Sequence, residues 1–208
     1  MNIIICILFG YIFGCFSTGF FIGKIKKVDI RQYGSKSSGT TNALRTLGPK
    51  AGILTLLGDM LKAIIAIVLV RFVLFSDIEY VKLLSLYTGL GVVIGHNYPV
   101  WLKFQGGKGI AATAGAIVAI DPWIIPFGLP IFVISVALTR YVSVGSLMLA
   151  ILFPTWIAIR NPGQLHMLII ALAYTALAFI KHRSNIKRLF NGTENKLGQR
   201  VKIDNTGQ

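Results

Sequence analysis

GHNYPVWLKFQGGKG, residues 95–109, sets a polar, cationic, glycine-rich stretch directly behind a long apolar run. That junction decides the fold, because an apolar run that ends in lysines and glycines reads as a chain leaving a membrane. The pair Gly106 and Gly107 permits positive φ and lets several backbone N–H groups converge on one anion, with Lys103 and Lys108 adding charge beside them. His96 and Asn97 open the stretch, Pro99 stiffens it, and Trp101 and Phe104 are apolar anchors suited to a membrane interface. The pattern predicts a phosphate-binding segment lying against a bilayer. Its rival is a tight turn whose lysines simply obey the positive-inside rule. Two nucleotide-binding readings fail. A Walker A loop needs a glycine where Leu102 stands. Gly89, Gly91 and Gly95 are spaced one residue too long for a dinucleotide fingerprint, and in an apolar helix they serve close packing.

Composition agrees with a membrane chain. Of 208 residues, 54% are hydrophobic and 13% charged, with mean hydropathy +0.71, against about 25% charged in a soluble domain. The net charge of +14 suits anionic headgroups and phosphorylated substrates. Nucleic acid explains it less well, since the basic residues fall between the apolar runs. Cys6 and Cys15 lie on opposite sides of one apolar helix and are expected to be unpaired core residues.

The apolar runs give an all-α, polytopic fold of about seven transmembrane helices. Residues 2–23 form a first span with no charge before it and Lys24, Lys26 and Lys27 after it, the order of a retained helix with its N-terminus outside. Residues 51–75 return outward to an acidic turn with Asp77 and Glu79. Residues 81–94 come back inward. Residues 110–120 are short for a span, Asp121 and Pro122 break the chain, and 123–138 follow, so 106–138 is either two full spans or a re-entrant hairpin. Residues 144–159 and 165–180 complete the set and leave the C-terminus cytoplasmic. This topology puts 17 of the 21 Lys and Arg on the cytoplasmic side.

Two further polar segments share that side. In residues 33–49, YGSKSSGTTNALRTLGP, Thr40, Thr41 or Asn42 can cap a short helix that ends at Gly48 before Pro49. Its N-terminus would attract an anion among the hydroxyls of Ser35, Ser37, Ser38, Thr40 and Thr41, and Arg45, on one face with Asn42, could close over it. In residues 181–198, KHRSNIKRLFNGTENKLG, His182, Asn185 and Arg188 line one side of a helix that breaks at Asn191 and Gly192. Within the second span, Asp59 and Lys62 would each cost about 2.5 to 3.5 kcal/mol alone at the bilayer centre, so they are expected to pair.

The carboxylates on this side, Asp29, Glu194 and Asp204, are too scattered for a metal or paired acid–base site. Neither metal nor cofactor is expected. Neither His96 nor His182 is followed five residues later by Asp, Trp101 and Lys187 standing there, and no cysteine is placed as a nucleophile. The segments suit a hydroxyl attacking an activated, phosphorylated donor, a reaction that needs positioning, phosphate clamps and an oxyanion hole. A transporter for a phosphorylated metabolite or a lipid-phosphate phosphatase would use a similar cationic pocket.

Taken together, GSKSSGTTNALRTLG, GHNYPVWLKFQGGKG and KHRSNIKRLFNGTE resemble, in order and spacing, the three cytoplasmic motifs of the bacterial acyl-phosphate:glycerol-3-phosphate acyltransferases, the PlsY family. The resemblance covers the whole chain as one domain, with the motif segments at 33–49, 95–113 and 181–198. It implies transfer of a fatty acyl group from acyl phosphate to the 1-hydroxyl of glycerol 3-phosphate, giving lysophosphatidic acid and phosphate as the first step of phospholipid synthesis. It also implies a multi-pass protein of the bacterial inner membrane whose active site faces the cytoplasm. Its partners would be the two substrates and the lipid bilayer, with no nucleic acid. By the same resemblance Ser35, Arg45, His96, Lys108, His182 and Asn185 are catalytic. Ser37, Gly39, Thr41, Asn42, Asn97, Lys103, Gly106, Gly107, Thr113 and Arg188 bind substrate. Ser37, Ser38, Ala112 and Thr113 depart from the family's usual residues. The oxyanion is expected on the Gly106 and Gly107 amides, and the proton acceptor is His96, His182 or the donor's own phosphate.

Overall fold

The structure, a computed structural model, describes residues 1–76 and 80–201. Asp77 and Glu79 of the expected acidic turn, and Asp204, lie outside the described residues. Among those described the chain is helical throughout, as its apolar runs predict. In order come α1 (Asn2–Cys15), α2 (Thr18–Ile25), α3 (Thr40–Leu47), α4 (Pro49–Leu69), α5 (Val81–Asn97), α6 (Ile110–Ile120), α7 (Ile125–Thr139), α8 (Val142–Arg160) and α9 (Leu165–Phe190). Among the described residues five segments are long and apolar enough to cross a membrane: Asn2–Ile25, Pro49–Leu74, Pro122–Thr139, Val142–Arg160 and Leu165–Phe190. α5, with 17 residues, and α6, with 11, are shorter apolar helices.

The first run is not one helix. At Phe16 and Ser17 the backbone turns extended, separating α1 from α2. Carbonyls released by such a break would be costly in an apolar surrounding. Here Lys62 Nζ donates to Gly14 O, at 3.0 Å, and to Phe16 O, while Trp101 Nε1 donates to Cys15 O at 2.8 Å. The local signal is only Ser17, Thr18 and Gly19, with Ser17 as the cap of α2; the partners that satisfy the freed carbonyls come from α4 and from the loop after α5.

α1 and α5 lie backbone to backbone. A Cβ on Gly10 or Gly14 would overlap the backbone of Thr88 or Val92, and one on Gly91 or Gly95 would overlap that of Ile7 or Tyr11. The glycines of α5 thus do pack helices, as their apolar setting predicts. α6 meets α4 equally closely through Gly115 and Met60. Ala112 and Ala116 of α6 join Ile67, Val92, Phe153 and Tyr174 in the core.

α6 spans about 16 Å at 1.5 Å per residue. It starts beside Lys108 and ends where Arg71 Nη1 reaches Ala119 O, at 3.3 Å, and Arg160 Nε pairs with Asp121, at 3.3 Å. Of the two arrangements open for 106–138, the structure therefore shows α6 running from one end of the bundle to the other, with no hairpin back. Asn2 lies at that same far end, with its Nδ2 3.4 Å from the Tyr80 hydroxyl. The three polar segments collect at the opposite end. Large apolar side chains such as Leu8, Ile12, Leu57, Ile134 and Leu138 face outward, the surface a lipid-embedded bundle presents.

Candidate active site

The first polar segment is shaped by one residue. Asn42 of α3 is fully buried, and its Nδ2 donates to Ile30 O (2.7 Å), Ser37 O (2.8 Å) and Tyr33 O (3.2 Å). Its Oδ1 accepts from the Ser35 N–H at 2.9 Å. With every polar atom tied to the loop, Asn42 has no proton free for phosphate; the direct contact expected of it becomes a scaffolding role. The cap of α3 is Gly39, one residue before the Thr40, Thr41 or Asn42 cap that the sequence suggests, and its N–H is taken by Ser37 Oγ at 3.3 Å. Arg45, buried, reaches Asn195 O at 3.0 Å.

The glycine-rich segment differs from expectation in a specific way. Positive φ is found at Lys103 (54°), Phe104 (60°) and Gly109 (83°), and neither Gly106 nor Gly107 shows it. The N–H of Gly106 donates to Asn97 O at 3.3 Å and that of Gly107 to His96 O at 3.0 Å, so neither amide is available to an oxyanion. These two positions need glycine for close approach: a Cβ on Gly106 would overlap His96 O, and one on Gly107 would overlap His96 Nε2. Lys103 is exposed at the loop's tip, away from the cavity described below. Asn97 is fully buried behind the cavity wall, where its carbonyl also accepts from Lys181 Nζ at 3.0 Å. What this segment turns toward the cavity is His96, Lys108 and Gly109.

α9 continues past its apolar part to Phe190, as the third segment predicts, and stops at Asn191 and Gly192. His182 Nδ1 lies 2.8 Å from Ala178 O. A carbonyl only accepts, so Nδ1 carries the proton and Nε2 is bare. Lys108 Nζ donates to Asn185 Oδ1 at 2.7 Å, and Asn185 Nδ2 to Glu194 Oε1 at 2.7 Å. Arg188, outside the cavity wall, pairs with Glu194 at 2.7 Å, and Ser143 Oγ donates to the same carboxylate at 3.1 Å. Glu194 is thus the hub of the third segment, a role the sequence hides because it stands alone among basic residues. Burial lowers the Lys108 pKa to about 8; Glu194 opposes this, and Arg188, Arg45 and Lys181 reinforce it. Among the described residues no three His, Cys, Asp or Glu side chains gather as a metal site.

A cavity of about 590 Å³ joins the three segments. Its polar end is lined by Ser35, Ser37, Gly39, Thr41, Asn42 and Arg45, by His96, Lys108 and Thr113, and by His182 and Asn185. The expected site residues Asn97, Lys103, Gly106, Gly107 and Arg188 are not in its wall. Thr40 and Thr41 at the start of α3, and Ile110 and Ala111 at the start of α6, also line it. The first N–H groups of a helix have no partner within it, so two positive helix ends meet Arg45 and Lys108 around one space. Away from these groups the cavity becomes an apolar trough between α6, α7 and α8, walled by Ile117, Val118, Leu129, Phe132, Leu152 and Phe153. An anionic head and a long apolar tail would both be satisfied there.

Comparison with known proteins places this arrangement. Residues 4–192 match the model of the glycerol-3-phosphate acyltransferase family. The glycerol-3-phosphate acyltransferase of Clostridioides difficile (strain 630) is 43% identical over 200 residues, 95% of this chain and 96% of that protein. That of Thermoanaerobacter pseudethanolicus is 39% identical over 205 residues, 98% of this chain and all of that protein. The crystal structure of PlsY, an integral membrane glycerol 3-phosphate acyltransferase, in its glycerol 3-phosphate form superposes with TM-score 0.85 at 33% identity, covering 95% of this chain and 96% of that one. Its lysophosphatidic acid form gives 0.83 at 33% identity, over 96% and 97%. Sequence along nearly the whole length and fold at this agreement leave one conclusion, that the chain belongs to the glycerol-3-phosphate acyltransferase family, among its integral membrane, PlsY-type members.

Proposed function

We propose that this protein, acting as one domain, transfers a fatty acyl group from acyl phosphate to the 1-hydroxyl of glycerol 3-phosphate. The observation that carries this reading is the single cavity in which a cationic head opens into an apolar trough. Arg45, Lys108 and the N-termini of α3 and α6 hold phosphate at the head. The acyl chain lies in the trough. A phosphorylated donor needs no cofactor, because phosphate is already a good leaving group.

The glycerol oxygen attacks the acyl carbonyl carbon, a C–O bond forms, and the bond from that carbon to the phosphate oxygen breaks. The bare Nε2 of His182 accepts a hydrogen bond from the attacking hydroxyl and orients it. The equation closes in charge when the departing phosphate takes the hydroxyl proton and leaves as hydrogen phosphate. With the Gly106 and Gly107 amides engaged, the developing oxyanion falls to the N-terminus of α6 and to Lys108. A path for a transported solute would need polar groups along its length. Deeper than Ser146 and Thr175 the lining is apolar apart from Tyr174, whose hydroxyl is bound to Leu86 O at 2.7 Å.

The concentration of Lys and Arg in the three polar segments, which the described residues gather at the site end, favours that end as the cytoplasmic one in a bacterial inner membrane. That orientation serves the first step of phospholipid synthesis, where both substrates arrive from the cytoplasm.

The decisive assay gives purified protein palmitoyl phosphate with and without glycerol 3-phosphate, and palmitoyl-CoA as the rival donor. Phosphate release that requires glycerol 3-phosphate and yields lysophosphatidic acid is the expected outcome. Turnover with palmitoyl-CoA alone would overturn the donor assignment and keep the acceptor.

A further inference from the structure

At the cavity wall, where Asp59 and His96 line it, lies a polar cluster that the reaction described above does not use. Asp59 and Lys62 of α4 form an ion pair at 3.2 Å, and Thr18 Oγ1 of α2 donates to Asp59 Oδ1 at 3.2 Å. Lys62 Nζ also lies 2.9 Å from His96 Nδ1. All three side chains of the Asp59, Lys62 and His96 group are buried. Burial of this kind is expensive unless the charges are paired, as Asp59 and Lys62 are, and ionisable groups inside a span commonly mark a functional site.

The protons of Lys62 can be followed one by one. Gly14 O and Phe16 O, bared by the break between α1 and α2, can only accept, so they take two. For the third, His96 Nδ1 at 2.9 Å is nearer than Asp59 Oδ1 at 3.2 Å, so it points to the ring nitrogen, while Asp59 supplies the countercharge that keeps the amine an ammonium. Asp59 Oδ1 is 3.6 Å from the same ring nitrogen, too far for a good hydrogen bond. A neutral imidazole has one N–H, and a nitrogen that faces an ammonium must be the bare one.

We propose that Lys62, held by Asp59 and the carbonyls of the α1–α2 break, is a positioning residue that fixes His96 as the tautomer protonated on Nε2. His96 then meets substrate as a hydrogen-bond donor, the opposite of His182, whose Nε2 accepts. The two histidines of the cavity divide the work: His182 orients the attacking hydroxyl, and His96 joins the N-terminus of α6 and Lys108 around the oxygen on which charge develops. The ring cannot easily turn away, since Nε2 is seated against Gly107. This assignment rests on the acyltransferase reading for its catalytic meaning, but the tautomer itself does not.

The test is nuclear magnetic resonance of protein labelled with ring-¹⁵N histidine, whose three histidines are assigned with His96→Gln and His166→Gln. In the wild type, His96 Nε2 shows a directly bonded proton and Nδ1 shows none. In Lys62→Met the donor is gone and Asp59 remains, so a proton appears on Nδ1. A proton on His96 Nδ1 in the wild type, or an unchanged pattern in folded Lys62→Met, overturns the proposal; if the variant does not fold, the wild-type spectrum alone decides. In turnover, Lys62→Met should lower kcat on the order of 10²-fold with little change in KM, and Lys62→Arg should restore part of it. Full kcat in Lys62→Met would refute the role. A protein that transfers no acyl group would still give the spectrum, which separates failure of this inference from failure of the reading on which it rests.

Discussion

Lys108 shows how a residue's setting fixes its chemistry. It is half-buried, within the field of Arg45, Arg188 and Lys181, and held at a pKa of about 8, well below the ordinary value of about 10.4. The free enzyme therefore loses this positive charge as pH rises through about 8. Bound phosphate, a dianion, favours the ammonium and draws the proton back. The expected consequence is that kcat/KM for glycerol 3-phosphate falls above that pH while kcat holds, since the former reports the free enzyme. Lys108→Arg, whose guanidinium stays charged, should move the fall to higher pH. Steady-state kinetics from pH 7 to pH 10 would check this, and a flat kcat/KM would remove Lys108 from phosphate binding. The residue scale is also where the sequence misleads most. Gly106 and Gly107 look like an anion nest because two glycines among lysines fit one. Their amides are instead tied to His96 and Asn97, and only the folded loop reveals that close approach, and not positive φ, is what requires them.

Among the elements, α3 and the loop before it depend on a single amide side chain. Asn42→Ala would leave the carbonyls of Ile30, Tyr33 and Ser37 and the Ser35 N–H without their partner. At about 1 kcal/mol for each net hydrogen bond, the loss of the four should cost about 4 kcal/mol of stability. Thermal unfolding in detergent should register it, and substrate affinity should fall with it because Ser35 and Ser37 would lose their places. Equal stability of variant and wild type would show that the loop holds itself. Helix ends were legible where the chain breaks locally: Gly48 with Pro49, Asp121 with Pro122, Asn191 with Gly192. The gap between α1 and α2 was not, because residues 2–23 contain no proline or charge, and Ser17, Thr18 and Gly19, which stand at the break, are residues a membrane helix also tolerates. That break is held open by Lys62 and Trp101, which are remote in sequence.

At the scale of the whole molecule, the proposed function puts the acyl chain in the trough between α6, α7 and α8, so the width of that trough should limit the chain's length. Gly128 of α7 lines the trough, and a Cβ there would sit 3.4 Å from Leu149 Cδ2 and 3.5 Å from Leu152 Cδ2. A methyl fits at that distance, whereas a larger side chain must project into the trough. Gly128→Leu should therefore lower kcat/KM for palmitoyl phosphate about tenfold relative to decanoyl phosphate, the scale of a mis-seated methylene or two. Gly128→Ala should leave the ratio unchanged. Equal ratios in all three proteins would place the chain elsewhere.

By itself the sequence determined the all-helical membrane class, the order of the apolar runs and the gathering of three polar segments at one end. These follow from hydrophobicity and charge, which act through solvent and are carried by each segment alone. Only the tertiary structure decided which of the polar residues meet the cavity. It turned Asn42 inward and Lys103 outward, made Glu194 the hub for Asn185 and Arg188, and set Lys62 against His96. Hydrogen bonds are short and directional, so partners far apart in the chain are chosen by how the helices pack.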